Sequence, residues 1–77
     1  MKSQTPLLEC IPNLSEGRNH KALDQLWEAL QEISQLYCLH QHRDEDHHRS
    51  VFTLAGTPRA LTEAVHHLYD WSSRHID

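Results

Sequence analysis

The side chains best able to move protons or hold ions are concentrated between His40 and Gly56, HQHRDEDHHRSVFTLAG, where a charged, histidine-rich half gives way to an apolar, β-branched half. The polar half carries His40, His42, Arg43, Asp44, Glu45, Asp46, His47, His48 and Arg49, and so four of the eight histidines in the chain. Two chemistries use such a set. Imidazole and carboxylate ligands suit zinc, nickel or iron, and His40 and His42 alternate onto one strand face with Asp44, Asp46, His47 and His48 close in sequence. Their spacing matches no zinc motif, so no metal is expected, and a solvated polar loop is the plainer alternative. The second chemistry is acid/base work on a substrate that carries carboxylates. Arg49 and Arg18 would anchor the anion, and a histidine, which titrates near neutrality, would exchange protons. Salt bridges within the loop are its plainer alternative. No serine or cysteine nucleophile has a base beside it.

Composition narrows the setting. The chain has 77 residues, enough for one domain spanning residues 1–77. A chain of this size buries only about 60% of its unfolded surface, so its core is marginal. Hydrophobic residues make up 38%, charged residues 23%, and the net charge is −4 with acids and bases interspersed. That is a globular composition without the clustered basic residues that bind phosphate backbones, so neither nucleic acid nor membrane is expected as a partner. There is no apolar run of transmembrane length and no signal-peptide core near Met1, which predicts a cytoplasmic protein. Cys10 and Cys38 form no CxxC motif and read as free thiols in a reducing compartment.

The elements that must position these residues follow from the pattern. Leu7–Ile11 reads as a first strand ended by Pro12. Pro12–Asn19 reads as a polar turn, with Gly17 supplying positive φ and Asn19 a helix cap. From His20 to about Gln35, Leu23, Leu26, Trp27, Leu30 and Ile33 recur at helical spacing. Leu36–Leu39 opens a second strand, Val51–Ala55 forms a third, and the charged stretch between them is an irregular, extended loop. Gly56, Thr57 and Pro58 mark a strand end, an N-cap and a first helical residue. The second helix then buries Leu61, Ala64, Val65, Leu68 and Ser72, with Tyr69 and Trp71 flanking. His20, His66, His67 and His75 fall on helix surfaces or near the terminus.

The order β, α, β, β, α is a ferredoxin-like split βαβ unit lacking its last strand, an α+β fold with two helices on one face of the sheet. In this reading the first and third strands are adjacent and parallel, and the first strand lies on an open edge. The third strand also separates the cysteines by about 9.6 Å, too far for a disulfide. An RNA-binding sheet of the same topology is disfavoured, because Ser50–Gly56 lacks the paired exposed aromatics that stack on bases.

Two motifs carry a resemblance. Glu9–Asn19, ECIPNLSEGRN, resembles the opening of the formiminotransferase family, ECVPNFSEGR, and His42–Gly56 resembles that family's H-S-D-x-D-H-N-R-[ST]-V-[FY]-T-x-x-G at the family's distance from the first. The resemblance covers Leu8 to Asp77. It implies the N-terminal subdomain of an enzyme that moves a formimino group from N-formiminoglutamate to tetrahydrofolate in histidine degradation. Asn13, Ser15, Glu16 and Arg18 match one substrate-binding loop, and His42, Asp46, His47 and Arg49 match a second. His48 stands where the family usually has asparagine, and His40 where aspartate is common. The family's catalytic histidine lies beyond the position of Asp77, so a chain incomplete as a catalyst is expected, with no catalytic residue assigned within it. A tetrahydrofolate-type substrate, a partner subunit or a homodimer through the first-strand edge are the implied associations. The alternative is a non-catalytic module of the same fold that binds a small ligand or dimerises.

Overall fold

The computed structural model describes residues 6–75. Its elements are β1 (Leu8–Cys10), β2 (Asn13–Leu14), α1 (His20–Gln31), β3 (Leu36–Asp44), β4 (Arg49–Gly56) and α2 (Pro58–His75). They form an α+β, ferredoxin-like arrangement in which β4 is the central strand. β1 and β2 pair along one side of it and β3 along the other, all antiparallel.

The expected parallel pairing of the first and third strands is therefore wrong. The α1 crossover returns the chain so that β1 and β3 run the same way, and the hairpin then reverses β4 between them. Pro12 does not end the first strand either. Cys10 faces Leu54 and Asn13 faces Val51, so β1 and β2 keep one register across the proline. The Phe52 N–H donates to the Pro12 carbonyl at 3.1 Å, holding the two pieces in line. Only the missing proline N–H interrupts the ladder.

The charged stretch is also more regular than an extended loop. β3 runs to Asp44 and β4 starts at Arg49, leaving Glu45–His48 as a tight turn closed by the His48 N–H on the Glu45 carbonyl at 3.3 Å. His48 takes φ 54°, in the left-handed region. That region is enriched in asparagine, aspartate and histidine, so the imidazole side chain is tolerated there.

Along β4, Ser50, Phe52, Leu54 and Gly56 are buried while the intervening residues are not, so one face of the sheet is covered and the other open. Over the covered face lie Leu23, Leu26 and Leu30 of α1 and Ala60, Ala64, Leu68 and Trp71 of α2. Trp27 meets Phe52 edge-on with ring centroids 5.1 Å apart. The buried stripe of α2 is rotated from the expected one: Val65 is 51% exposed, whereas Trp71 is buried. The Trp71 indole N–H donates to the Ala22 carbonyl at 3.1 Å, so the largest side chain of α2 is satisfied inside and sets the helix orientation. Cys10 and Cys38 are free and sit on opposite sides of Leu54, as expected. Burial pushes the Cys38 thiol up.

Both caps form as read: the Asn19 side chain accepts from the Ala22 N–H and the Thr57 hydroxyl from the Ala60 N–H. α1 ends at Gln31, earlier than the expected Gln35, and the chain turns into β3 through Gln35 at φ 65°. Ile33 stays buried beyond the helix. A side chain in the left-handed region costs about 1 kcal/mol that glycine avoids. Gln35→Gly is accordingly expected to stabilise the fold by about 0.5–1 kcal/mol, seen as a higher urea midpoint at an unchanged slope.

Candidate functional site

A β-bulge decides which side chains reach the open face. Cys38 faces Leu54 but His40 faces Thr53, so the register shifts by one at Leu39. Without that shift, strict alternation from buried Leu36 would turn His40 and His42 toward the helices. With it, His40, His42 and Asp44 stand opposite Thr53, Val51 and Arg49 on the uncovered face. Asn13 also faces Val51, from the other side. Asn13, Val51 and His42 thus form one cross-strand row, with Arg49 two residues along β4 and Asp44 opposite it. In this way the structure brings Asn13, His42 and Arg49 onto one surface, all three exposed.

Glu16 and Arg18 occupy a different place. Glu16 is 8% exposed, and its Oε2 accepts the Arg18 and Asn19 N–H groups at 3.0 and 2.9 Å, with His48 Nδ1 at 3.7 Å. Burial alone would raise this carboxyl, but the two backbone donors and the nearby His48 and Arg18 outweigh it and hold the group below the ordinary glutamate range. The Ser50 hydroxyl, fully buried, donates to the Glu16 carbonyl at 2.6 Å. Arg18 Nε donates to the Glu45 carbonyl at 3.1 Å. Glu16 and Arg18 thereby fasten the loop to the hairpin, while Ser15 remains exposed beside them.

Gly17 is needed for a reason other than the expected one, because no glycine among the described residues has positive φ. A Cβ on Gly17 would lie 2.5 Å from the Asp44 carbonyl oxygen and 2.6 Å from the Arg49 nitrogen. The loop crosses the hairpin backbone at a distance only glycine permits.

Asp46 and His47 sit exposed in the turn, off the row just described. His47 folds back on Asp44, whose carboxylate accepts the His47 N–H at 3.1 Å and lies 2.6 Å from its Nδ1. Those two hydrogen bonds hold the Asp44 carboxyl below its usual value. His42 and Asp46 also line a shallow depression of about 390 Å³ at the hairpin end, with His20, Arg43, Asp44 and Glu45. Among the described residues no three His, Cys, Asp or Glu side chains are grouped to hold a metal ion.

A clamp absent from the sequence reading joins α1 to the hairpin. Arg43 Nη2 donates to Asp24 at 2.6 Å, Arg43 Nη1 approaches His20 Nδ1 at 2.8 Å, and His20 Nε2 lies 2.5 Å from Glu45. With Arg43 as donor, His20 must accept at Nδ1 and carry its proton on Nε2 toward Glu45. The i, i+4 spacing of His20 and Asp24 was the one available signal, since it places both on one helix face. Nothing in the sequence pointed to Arg43 as their partner.

These loops are the family's own. The model of the formiminotransferase domain's N-terminal subdomain matches residues 7–77. The chain belongs to this family. It is 39% identical over 71 residues to the glutamate formimidoyltransferase of Streptococcus pyogenes serotype M1, covering 92% of this chain and 24% of that protein. The mouse formimidoyltransferase-cyclodeaminase is 31% identical over 71 residues, covering 92% of this chain and 13% of that protein. A glutamate formimidoyltransferase from Thermoplasma acidophilum is 36% identical over 59 residues, covering 77% of this chain and 20% of that protein. The chain therefore spans a quarter or less of the length of these relatives.

Two substitutions test the loop geometry of the subdomain. Gly17→Ala forces a methyl against hairpin backbone and is expected to destabilise by about 1–3 kcal/mol, measured by chemical unfolding. Glu16 has a lowered folded-state pKa, so its contribution is complete above the unfolded value of about 4.3 and is lost as pH falls through the folded value. Glu16→Gln is expected to flatten the fall in stability between about pH 5 and 3, a slope read from urea midpoints across that window.

Proposed function

We propose that this chain supplies one substrate-binding wall of a glutamate formimidoyltransferase, and that the group transferred is the formimino group of N-formiminoglutamate, passed to tetrahydrofolate. One observation carries the reading. Asn13 and His42 flank Val51 in a single row of the open face, and Arg49 stands beside it on the same strand. Arg49 offers a fork matched to a carboxylate, the Asn13 amide adds directional donors, and His42 can exchange a proton with a leaving amine. Val51 gives the row an apolar floor that suits a flat ring or the methylene arm of a glutamate.

Such a wall holds and orients a substrate. Transfer also requires a proton for the glutamate nitrogen as its bond to the formimino carbon breaks, and a partner face that excludes water. We place those groups outside the 77 residues. The names of the relatives support the reaction, and the matched loops support the substrate-holding role. No helix among the described residues is long and apolar enough to cross a membrane.

Calorimetric titration with N-formiminoglutamate and with tetrahydrofolate tests the reading. Saturable binding is expected, weakened about 10-fold or more by Arg49→Lys, which keeps the charge but loses the fork. Glu9→Gln, elsewhere on the open face, is expected to leave affinity unchanged. Formimino transfer is expected only when the remaining part of a relative is supplied in trans. Equal affinity in the Arg49 variant would overturn the site. Binding that never leads to transfer, even with that complement, would favour a ligand-binding module.

A further inference from the structure

We propose that His48 is a proton-driven toggle on the loop that crosses the hairpin: neutral, its Nδ1 accepts the Gly17 N–H, and protonated, the same nitrogen donates to the Glu16 carboxylate. This goes beyond the transferase reading and does not depend on it.

Three histidines face carboxylates at the hairpin end of the sheet, and the geometry singles out one of them. His47 Nδ1 lies 2.6 Å from Asp44 Oδ2, so that nitrogen already carries a proton and donates whether the ring is neutral or charged. In His20 both nitrogens are committed, Nδ1 to Arg43 and Nε2 to Glu45, and a proton added at Nδ1 would meet a guanidinium. His48 differs from both. Its Nδ1 takes the Gly17 N–H at 3.4 Å and so holds a lone pair, while Glu16 Oε2 stands 3.7 Å from the same atom. A donor and an acceptor therefore compete for one nitrogen. A proton on it removes the acceptor that Gly17 uses and gives Glu16 a further donor.

The surroundings suit this exchange. Glu16 Oε2 accepts from the Arg18 and Asn19 N–H groups, and a carboxylate has about four acceptor sites, so room remains for the imidazolium. The same backbone donors keep Glu16 ionised into mild acid. The other charges nearby are engaged elsewhere: Arg18 Nε on the Glu45 carbonyl, the Asp44 carboxylate on His47, and that of Glu45 on His20. Asp46 and Arg49 are exposed to solvent. Glu16 is thus the carboxylate left for His48. The ring is free to move, its side chain being 41% exposed, whereas the Gly17 backbone is held against Asp44 and Arg49. A displacement of about 1 Å brings Nδ1 within the roughly 2.7–2.9 Å of a charge-assisted bond. The Gly17 contact belongs to pH above the range in which imidazoles take up a proton, and the Glu16 contact to pH below it, until Glu16 is itself protonated.

The test is amide exchange and nitrogen-15 NMR of the whole chain at about pH 7.5 and about pH 5.5, either side of imidazole titration. Protection of the Gly17 amide, corrected for intrinsic exchange, is expected to fall about 5-fold at the lower pH, the worth of one ordinary hydrogen bond. The Arg18 and Asn19 amides, bonded to Glu16, are expected to keep theirs. A protonated His48 Nδ1 signal is expected at the lower pH and is expected to be lost in Glu16→Gln. His48→Asn suits the left-handed backbone and keeps an oxygen for the Gly17 N–H, so the fold is retained and the pH dependence of the Gly17 amide is expected to vanish. The other histidines remain in that variant, so a general effect of acid would persist in it. Equal Gly17 protection at both pH values would overturn the proposal, as would a pH dependence that survives His48→Asn or an Nδ1 signal that survives Glu16→Gln.

Discussion

The closeness of the Gly17 backbone to the hairpin controls everything at the loop end of the sheet. Contact distances near 2.5 Å for a missing Cβ mean that the two backbones lie against each other with no side chain between. That proximity lets Ser50 reach the Glu16 carbonyl and Arg18 reach Glu45. The Arg18 bond is exposed and worth little alone, whereas the Ser50 bond is buried. Together they fix where Ser15 and Asn13 leave the loop relative to His42 and Arg49 across β4. A larger residue at Gly17 would lift the loop and spread those side chains apart.

The second constraint is the extra residue at Leu39. Strand side chains alternate with a period of two, so one inserted residue exchanges the faces of all that follow. Downstream of the bulge, Gln41 and Arg43 turn toward the helices while His40, His42 and Asp44 turn to the open face. The clamp and the open-face row are thus two consequences of one shift. Arg43 can reach Asp24 and His20 of α1 for the same reason that His42 can stand beside Val51.

Elements specified by local chemistry were legible in the sequence. The Asn19 and Thr57 caps, the α1 stripe and the strand ends near Leu36 and Gly56 follow from propensity and spacing, and the separation of the cysteines from the β, α, β, β, α order. Pairing sense and register were not. Pro12 reads as a strand terminator because its missing donor is a local fact, whereas the register that carries the strand past it is set by β4. Trp71 reads as flanking because a tryptophan is large, yet the Ala22 carbonyl gives its N–H a buried partner that no periodicity could reveal. The charged run looks like a loop because its side chains are polar, although only one face of a two-faced strand needs to be apolar.

The family motif is therefore not the same thing as a site. Within Glu16–Gly17–Arg18 the carboxylate is buried on backbone donors, the glycine lies against the hairpin, and the guanidinium bonds a carbonyl. These residues hold the surface in place. Asn13, His42 and Arg49, from the flanking positions of the two motifs, are the ones with free polar ends on the open face. A side chain fastened by two or three internal bonds has few donors or acceptors left for a ligand, and breaking those bonds to bind one would cost the loop its position. The ligand contacts we propose for this surface accordingly fall to the exposed row, and the more recognisable part of the motif is its support.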